Sequence, residues 1–168
     1  MPLKEDNILI PKLLTSGIYT LILFPPKEIE LDIGKLGKKS FSAGYYTYTG
    51  SALGKGATSL KNRIARHLRK EKRKFWHIDY LLANQSVSVE AVIATETSED
   101  IECNINNYIT KIRGAKIQVN GFGSSDCRKN CGSHLLYFPE VKKADFLAQE
   151  LVELFQSSSG IHSVCVVR

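Results

Sequence analysis

Apolar and polar positions recur along this chain with two different periods, and the switches between them mark out its elements. Gly17-Ile18-Tyr19-Thr20-Leu21-Ile22-Leu23-Phe24 is an apolar run of strand formers stopped by Pro25-Pro26, which reads as a central strand. Residues 27–34 alternate polar and apolar, as an edge strand does. Gly34 and Gly37 then make a turn, and Phe41 to Thr49 returns as a third strand. Its Tyr45, Tyr46 and Tyr48 suit a pleated, half-buried surface. The Gly50-Ser51 step is expected to break that strand and open a loop containing Gly54 and Gly56.

From Ser59 to Arg73 the period becomes helical, with Leu60, Ile64 and Leu68 at fourfold spacing as the core stripe. At 100° per residue, Arg63 and His67 fall on the edge of the stripe, while Arg66, Arg69 and Arg73 fall on the solvent side. Phe75 to Leu82 reads as an amphipathic helical segment and Val87 to Ala94 as a further strand. Ser98 suits the N-cap of the next helix, whose buried stripe is Ile101, Ile105, Tyr108, Ile109 and Ile112. Glu102 sits at the edge of that stripe. Lys116 to Val119 suits a short strand, and Asn120 to Asp126 is a turn-rich loop. His134 to Phe138 resumes as a strand. Lys142 to Gln156 is helical through Phe146, Leu147, Leu151 and Leu154, and residues 157–160 link it to a last strand, Ile161 to Val167. Residues 1–16 give only weak signals, consistent with a docked arm or a short strand.

Length and composition narrow the class. The 168 residues suit one domain, 1–168, with 43% hydrophobic and 24% charged residues, as in soluble globular proteins. No apolar run approaches the roughly 18 residues of a membrane span. Residues 1–6 lack the charged start and apolar core of a signal peptide, so a cytoplasmic protein with no membrane partner is expected. The net charge is +6, and it is concentrated. Lys61, Arg63, Arg66, Arg69, Lys70, Lys72, Arg73 and Lys74 lie close together, opposed only by Glu71. A field of that shape favours a polyanion, nucleic acid first, although a solvated helix face has the same composition.

Candidate chemistry then enters. Gly17-Ile18-Tyr19 on one strand, Tyr48-Thr49-Gly50 on a later one, Arg63 and His67 on the following helix and Glu102 on the next resemble the motifs of the GIY-YIG nucleases. The similarity extends to a little-characterised prokaryotic GIY-YIG-like subfamily with Gly-Phe-Gly-x-Ser-Asp-Cys and Ser-His-Leu-x-Tyr-Phe stretches. Here these are Gly121 to Cys127 and Ser133 to Phe138, so the resemblance covers about 17–138 and leaves 139–168 as a C-terminal extension. The second motif has Thr49 where the family has isoleucine. The 28 residues between Tyr19 and Tyr48 exceed the usual spacing, which an inserted hairpin over Pro25 to about Ala43 accommodates.

The resemblance implies an α+β fold, a small antiparallel central sheet flanked by helices, cutting phosphodiester bonds with one Mg²⁺ or Mn²⁺ ion. Carried over by position, Tyr19 and Tyr48 orient or activate the attacking water and His67 assists proton transfer. Arg63 binds the scissile phosphate, and Glu102 is the sole carboxylate on the metal. Gly50, Ser51, Arg66, Arg69, Lys70, Arg73, Ser125 and His134 are the expected substrate contacts. The chemistry is coherent by itself, because phosphoryl transfer needs a positioned nucleophile and fixed positive charge against the phosphate oxygens. A guanidinium supplies such a fork, and one glutamate plus waters suits Mg²⁺.

Singly, these residues have plainer readings. Tyr19 and Tyr48 could be ordinary strand aromatics, and Glu102 could simply complement a helix dipole. The cysteines are 103, 127, 131 and 165. Free structural cysteines are the default. A zinc on Cys127, Cys131 and His134, with Cys103 as a fourth ligand, or a Cys127–Cys131 disulfide, are the alternatives, and the spacing matches no common zinc finger. Asp126 could supplement Glu102 or form an Asx turn, and His77 is a packing or supporting group. The functional expectation is a metal-dependent endonuclease acting on DNA, with branched or damaged DNA among the candidate substrates. The alternatives are a non-catalytic nucleic-acid-binding module of the same fold and a zinc-stabilised protein–protein adaptor.

Overall fold

A computed structural model describes residues 15–158 and 163–167. The apolar run forms strand β1 (Gly17–Phe24), buried along nearly its whole length because it lies in the middle of the main sheet. The polar–apolar alternation after the prolines forms β2 (Ile29–Asp32), which pairs with β3 (Lys38–Phe41) as a separate two-stranded hairpin. This is the expected insertion, and beyond it β4 (Tyr45–Ala52) returns antiparallel to β1.

The chain continues through α1 (Leu60–Leu68), α2 (His77–Leu82), β5 (Ser88–Glu96), α3 (Glu102–Ile109), β6 (Leu135–Phe138), α4 (Ala144–Ser157) and β7 (Cys165–Val167). The five-stranded sheet has the order β6-β4-β1-β5-β7, and every neighbouring pair is antiparallel. The fold is therefore α+β, a small antiparallel sheet with helices on both faces. The expected start of the last strand, Ile161 and His162, and nearly all of the 1–16 arm lie outside the described residues.

Alternation along β1 assigns the two cores. Tyr19, Leu21 and Leu23 point to one face, where Leu60, Ile64 and Leu68 of α1, Ile78, Leu81 and Leu82 of α2, and Phe41 of the hairpin cover them. Ile18 and Ile22 point to the other, under Ile105 and Ile109 of α3 and Leu147, Leu151 and Phe155 of α4. Thr20, buried on that second face, satisfies its hydroxyl against Thr49 at 2.9 Å.

Several boundaries differ from the pattern-based expectation. The third strand is split at Gly44, whose φ of 134° breaks the run between β3 and β4. In turn, β4 does not stop at Gly50 but runs through Ser51 to Ala52, because Gly17–Tyr19 continues to pair with it. Helix α1 ends at Leu68, five residues early, where Arg69 adopts extended backbone at ψ 132°. Ser59 does cap α1, accepting from the Asn62 amide. Ser98 does not cap α3: Thr97 Oγ1 takes the Glu99 amide in a tight turn, and the helix starts at Glu102 with no side-chain cap. Lys116 makes an isolated bridge to Tyr137 in place of the 116–119 strand. Tyr108 and Phe146, assigned to buried stripes, are 49% and 50% exposed at the rims of the helical layer.

Candidate active site and metal centre

Register brings the two motif strands together. Tyr19 lies opposite Gly50 and Tyr48 opposite Leu21, so the two tyrosines share one face of adjacent strands. The motif glycines are required by close approach. A Cβ at Gly50 would run into the Tyr19 hydroxyl, and one at Gly17 would strike the Thr95 carbonyl and Leu60. Gly50 is buried and clears space for Tyr19.

Above the tyrosines, α1 supplies His67 and Arg63 from the stripe edge, as its 100° period requires. Tyr19 Oη and His67 Nε2 are 2.6 Å apart, and the Tyr48 ring meets His67 edge-on at 6.3 Å. Burial pushes the Tyr19 hydroxyl well above its ordinary range; Arg63 beside it pulls the other way, and Glu102 adds to the rise. Tyr48 is raised by burial, then by Tyr19 and Glu102. Burial, followed by the Lys72 charge, pushes His67 down to about 3. At neutral pH the tyrosine is therefore the donor and the neutral imidazole the acceptor. A base this weak fixes the orientation of the Tyr19 hydroxyl more effectively than it stores a proton.

That depressed value has a consequence for stability. The unfolded chain protonates His67 near 6.5, whereas the folded protein resists until about 3, so between these values the unfolded state binds more protons. Stability then falls as pH drops below 6.5, by about 1.4 kcal/mol per unit, or about 2 kcal/mol at pH 5. Urea titrations at pH 7 and pH 5 should show this loss in the wild type. His67→Gln should lack it; an unchanged pH slope in the variant would disprove the assignment.

Part of the basic cluster is turned inward. Arg66, expected on the solvent side, donates both arms to Asp79, at 2.6 and 2.8 Å, and also to the Arg73 carbonyl at 2.9 Å. Lys70 caps the carbonyls of Leu82, Asn84 and Val87, and Lys72 donates to the His67 carbonyl at 2.7 Å. Arg66 and Lys70 are thus tied to Asp79 and to backbone carbonyls rather than open on the solvent side, because the early end of α1 folds the following segment back over them. Arg69 and Arg73 are exposed beyond the helix, and Ser125 is exposed on its loop.

Trp76 links this network to the site. The guanidinium carbons of Arg63 and Arg66 each lie 4.3 Å from its ring centroid. Asp79 Oδ2 accepts the Trp76 amide at 2.8 Å. Sequence reasoning assigned no role to Trp76 or Asp79, although a lone tryptophan beside a basic run is the available signal. His77 Nδ1 accepts the Gly123 amide at 3.0 Å, a supporting role as expected.

Glu102 approaches from the other layer, in the first turn of α3. It lines a cleft of about 430 Å³ with Ser51, Asp100, Asp126, Arg128, Lys129 and His134. This cleft adjoins the tyrosines: the Thr49 amide donates to the His134 carbonyl at 3.2 Å, and Gly123 lies against both Tyr48 and His134. Three carboxylates, Asp100, Glu102 and Asp126, stand on its wall and are of the oxygen-donor type that a hard divalent cation takes, but among the described residues they do not converge as a ligand set.

At the back of the cleft is a second donor set of different character. One ligand atom each from Cys103, Cys127, Cys131 and His134 lies within 4.8 Å of all the others, a cluster able to bind a metal ion. Cys103 Sγ is 3.4 Å from Cys127 Sγ and 3.8 Å from His134 Nε2. Asn130 (φ 56°) and Gly132 (φ 76°) turn the 127–134 loop so that its ligands face inward. Burial works against the Cys127 thiolate, but hydrogen bonds from Cys131 and Cys103 pull it down to about 6. His134 is 3% exposed and belongs to this cluster, where it had been expected as a substrate contact. Its Nδ1 is 2.7 Å from Glu102 Oε1, an ion-pair distance but off the line of a good hydrogen bond.

The described residues contain no helix long and apolar enough to cross a membrane. A protein family described as "Domain of unknown function DUF123" matches residues 18–157. No curated protein and no solved structure matches the chain.

Proposed function

The chain belongs to this family of unknown function, and from that premise we propose that it is a divalent-metal-dependent endonuclease hydrolysing phosphodiester bonds in DNA. The observation that carries this reading is the 2.6 Å contact between Tyr19 and a neutral His67, with Arg63 and Tyr48 beside it. In this arrangement the Tyr19 hydroxyl donates to His67, which leaves its oxygen lone pairs free to accept a hydrogen bond from the attacking water and so orient it. Arg63, stacked on Trp76, presents a fixed guanidinium to a phosphate. Glu102, with Asp100 and Asp126 on the same wall, would hold Mg²⁺ or Mn²⁺, which when bound supplies charge neutralisation at the phosphate. The test is nicking of supercoiled, branched and single-stranded DNA with and without Mg²⁺ or Mn²⁺. Cleavage is expected only with the ion, and none on any substrate would refute the reading.

Two observations favour a non-catalytic nucleic-acid-binding module instead. Glu102 turns an oxygen toward His134, and both tyrosines are held protonated by burial. Salt-sensitive DNA binding without turnover would support that second reading.

Zinc is the ion that best suits the Cys/His cluster. Three thiolates and an imidazole form a closed tetrahedral donor set, in which thiolates about 2.3 Å from the ion lie roughly 3.8 Å apart. Protein purified without chelator should carry one zinc per chain by elemental analysis, and its removal should lower the melting temperature by several degrees. Metal-free protein that melts as before would exclude a structural zinc.

A further inference from the structure

We propose that Glu102 is the outer carboxylate of the Cys/His metal centre, so that one side chain serves both metal sites. This rests on the zinc reading above, and it goes further by linking zinc occupancy to the residue assigned to the hydrolytic ion.

The two nitrogens of His134 face different partners. Nε2 looks toward Cys103 Sγ at 3.8 Å and Nδ1 toward Glu102 Oε1 at 2.7 Å. An imidazole bound to metal through one nitrogen carries its proton on the other, and a carboxylate there fixes both the tautomer and the ring. Nδ1 is buried and otherwise unpartnered, so Glu102 is the group placed to receive that proton.

The backbone supports the same link. Glu102 and Cys103 are consecutive in the first turn of α3, and that turn has no side-chain cap at Ile101. A metal bound to Cys103 would secure the turn by cross-linking it to the 127–134 loop. One turn further on, Asn106 Nδ2 donates to the Ser133 carbonyl at 2.8 Å and ties the same two segments. The carboxylate therefore rides on a helix end whose position depends on the centre. Its second oxygen is left for the cleft that Asp100 and Asp126 also line.

The test is zinc affinity, measured by competition with a chromophoric chelator, in wild type, Glu102→Ala, Glu102→Gln and Asp100→Asn. Loss of an outer-shell partner should weaken zinc about 10–100-fold in Glu102→Ala. Glu102→Gln, which keeps an acceptor oxygen, should lose less, and it decides the matter if the alanine variant fails to fold. Asp100→Asn removes the same charge from the same cleft and should bind as wild type does. Wild-type affinity in both Glu102 variants would overturn the link, as would equal weakening in Asp100→Asn, which would mark a general charge effect. Absence of zinc from the wild type would instead overturn the zinc reading, and the link with it. Intact linkage in a protein that cleaves nothing would leave the link standing and count against the nuclease reading alone.

Discussion

Replacing Arg63 with alanine is expected to lower divalent-dependent nicking about a thousandfold while the protein remains folded. Fixed guanidinium charge at a transferring phosphoryl group contributes on that scale. Arg63 occupies the stripe edge of α1, beside Tyr19 and over Trp76, with no carboxylate partner among the ion pairs of the described residues. Its removal forfeits one cation–π stack, worth about 0.5–1 kcal/mol, so the melting temperature should fall by only a few degrees. Arg63→Lys keeps the charge but loses the planar fork and its stacking, and should recover only part of the rate. Wild-type nicking by a folded Arg63→Ala protein would end the nuclease assignment.

The largest expected stability effect lies at Asp79, which is fully buried. Its carboxylate takes two bonds from Arg66 and the amides of Phe75 and Trp76. Burial by itself would raise the Asp79 carboxyl, but Arg66 and those amides outweigh it and hold it below the usual carboxylate range. Asp79→Ala leaves the Arg66 guanidinium without its partner and two amides without an acceptor. A loss of about 3–5 kcal/mol is expected, seen as a fall of roughly 10 °C in melting temperature. Adding Arg66→Met should restore part of it, because the uncompensated charge is then gone as well. Equal, additive losses would show that the two side chains are not coupled.

Where hydrophobic period and strand pairing decide the structure, the sequence was sufficient. β1, the stripe Leu60, Ile64 and Leu68, and the inserted hairpin follow from alternation and spacing, and they place Tyr19, Tyr48, Arg63 and His67 on one face. The misplacements arise where no local signal exists. No glycine or proline marks the end of α1, so extending its period past Leu68 put Arg66 on a solvent face that the returning chain covers. Ser98 looked like a cap, but Thr97 competes for the local amide. Cys103 is 24 residues from Cys127 and meets it only through tertiary packing, so finger-type spacing concealed the donor set. Tyr108 and Phe146 have the right period but fall where the helical layer ends.

The sheet is also a partition. Tyr19, Tyr48, Ile64 and Phe122 belong to one packed cluster, whereas α3, the helix that carries Glu102, is packed into the cluster on the opposite side. A ligand engaging both Arg63 and Glu102 would therefore touch both halves at once. Such a ligand would act as a clasp, resisting any sliding of one helical layer against the other.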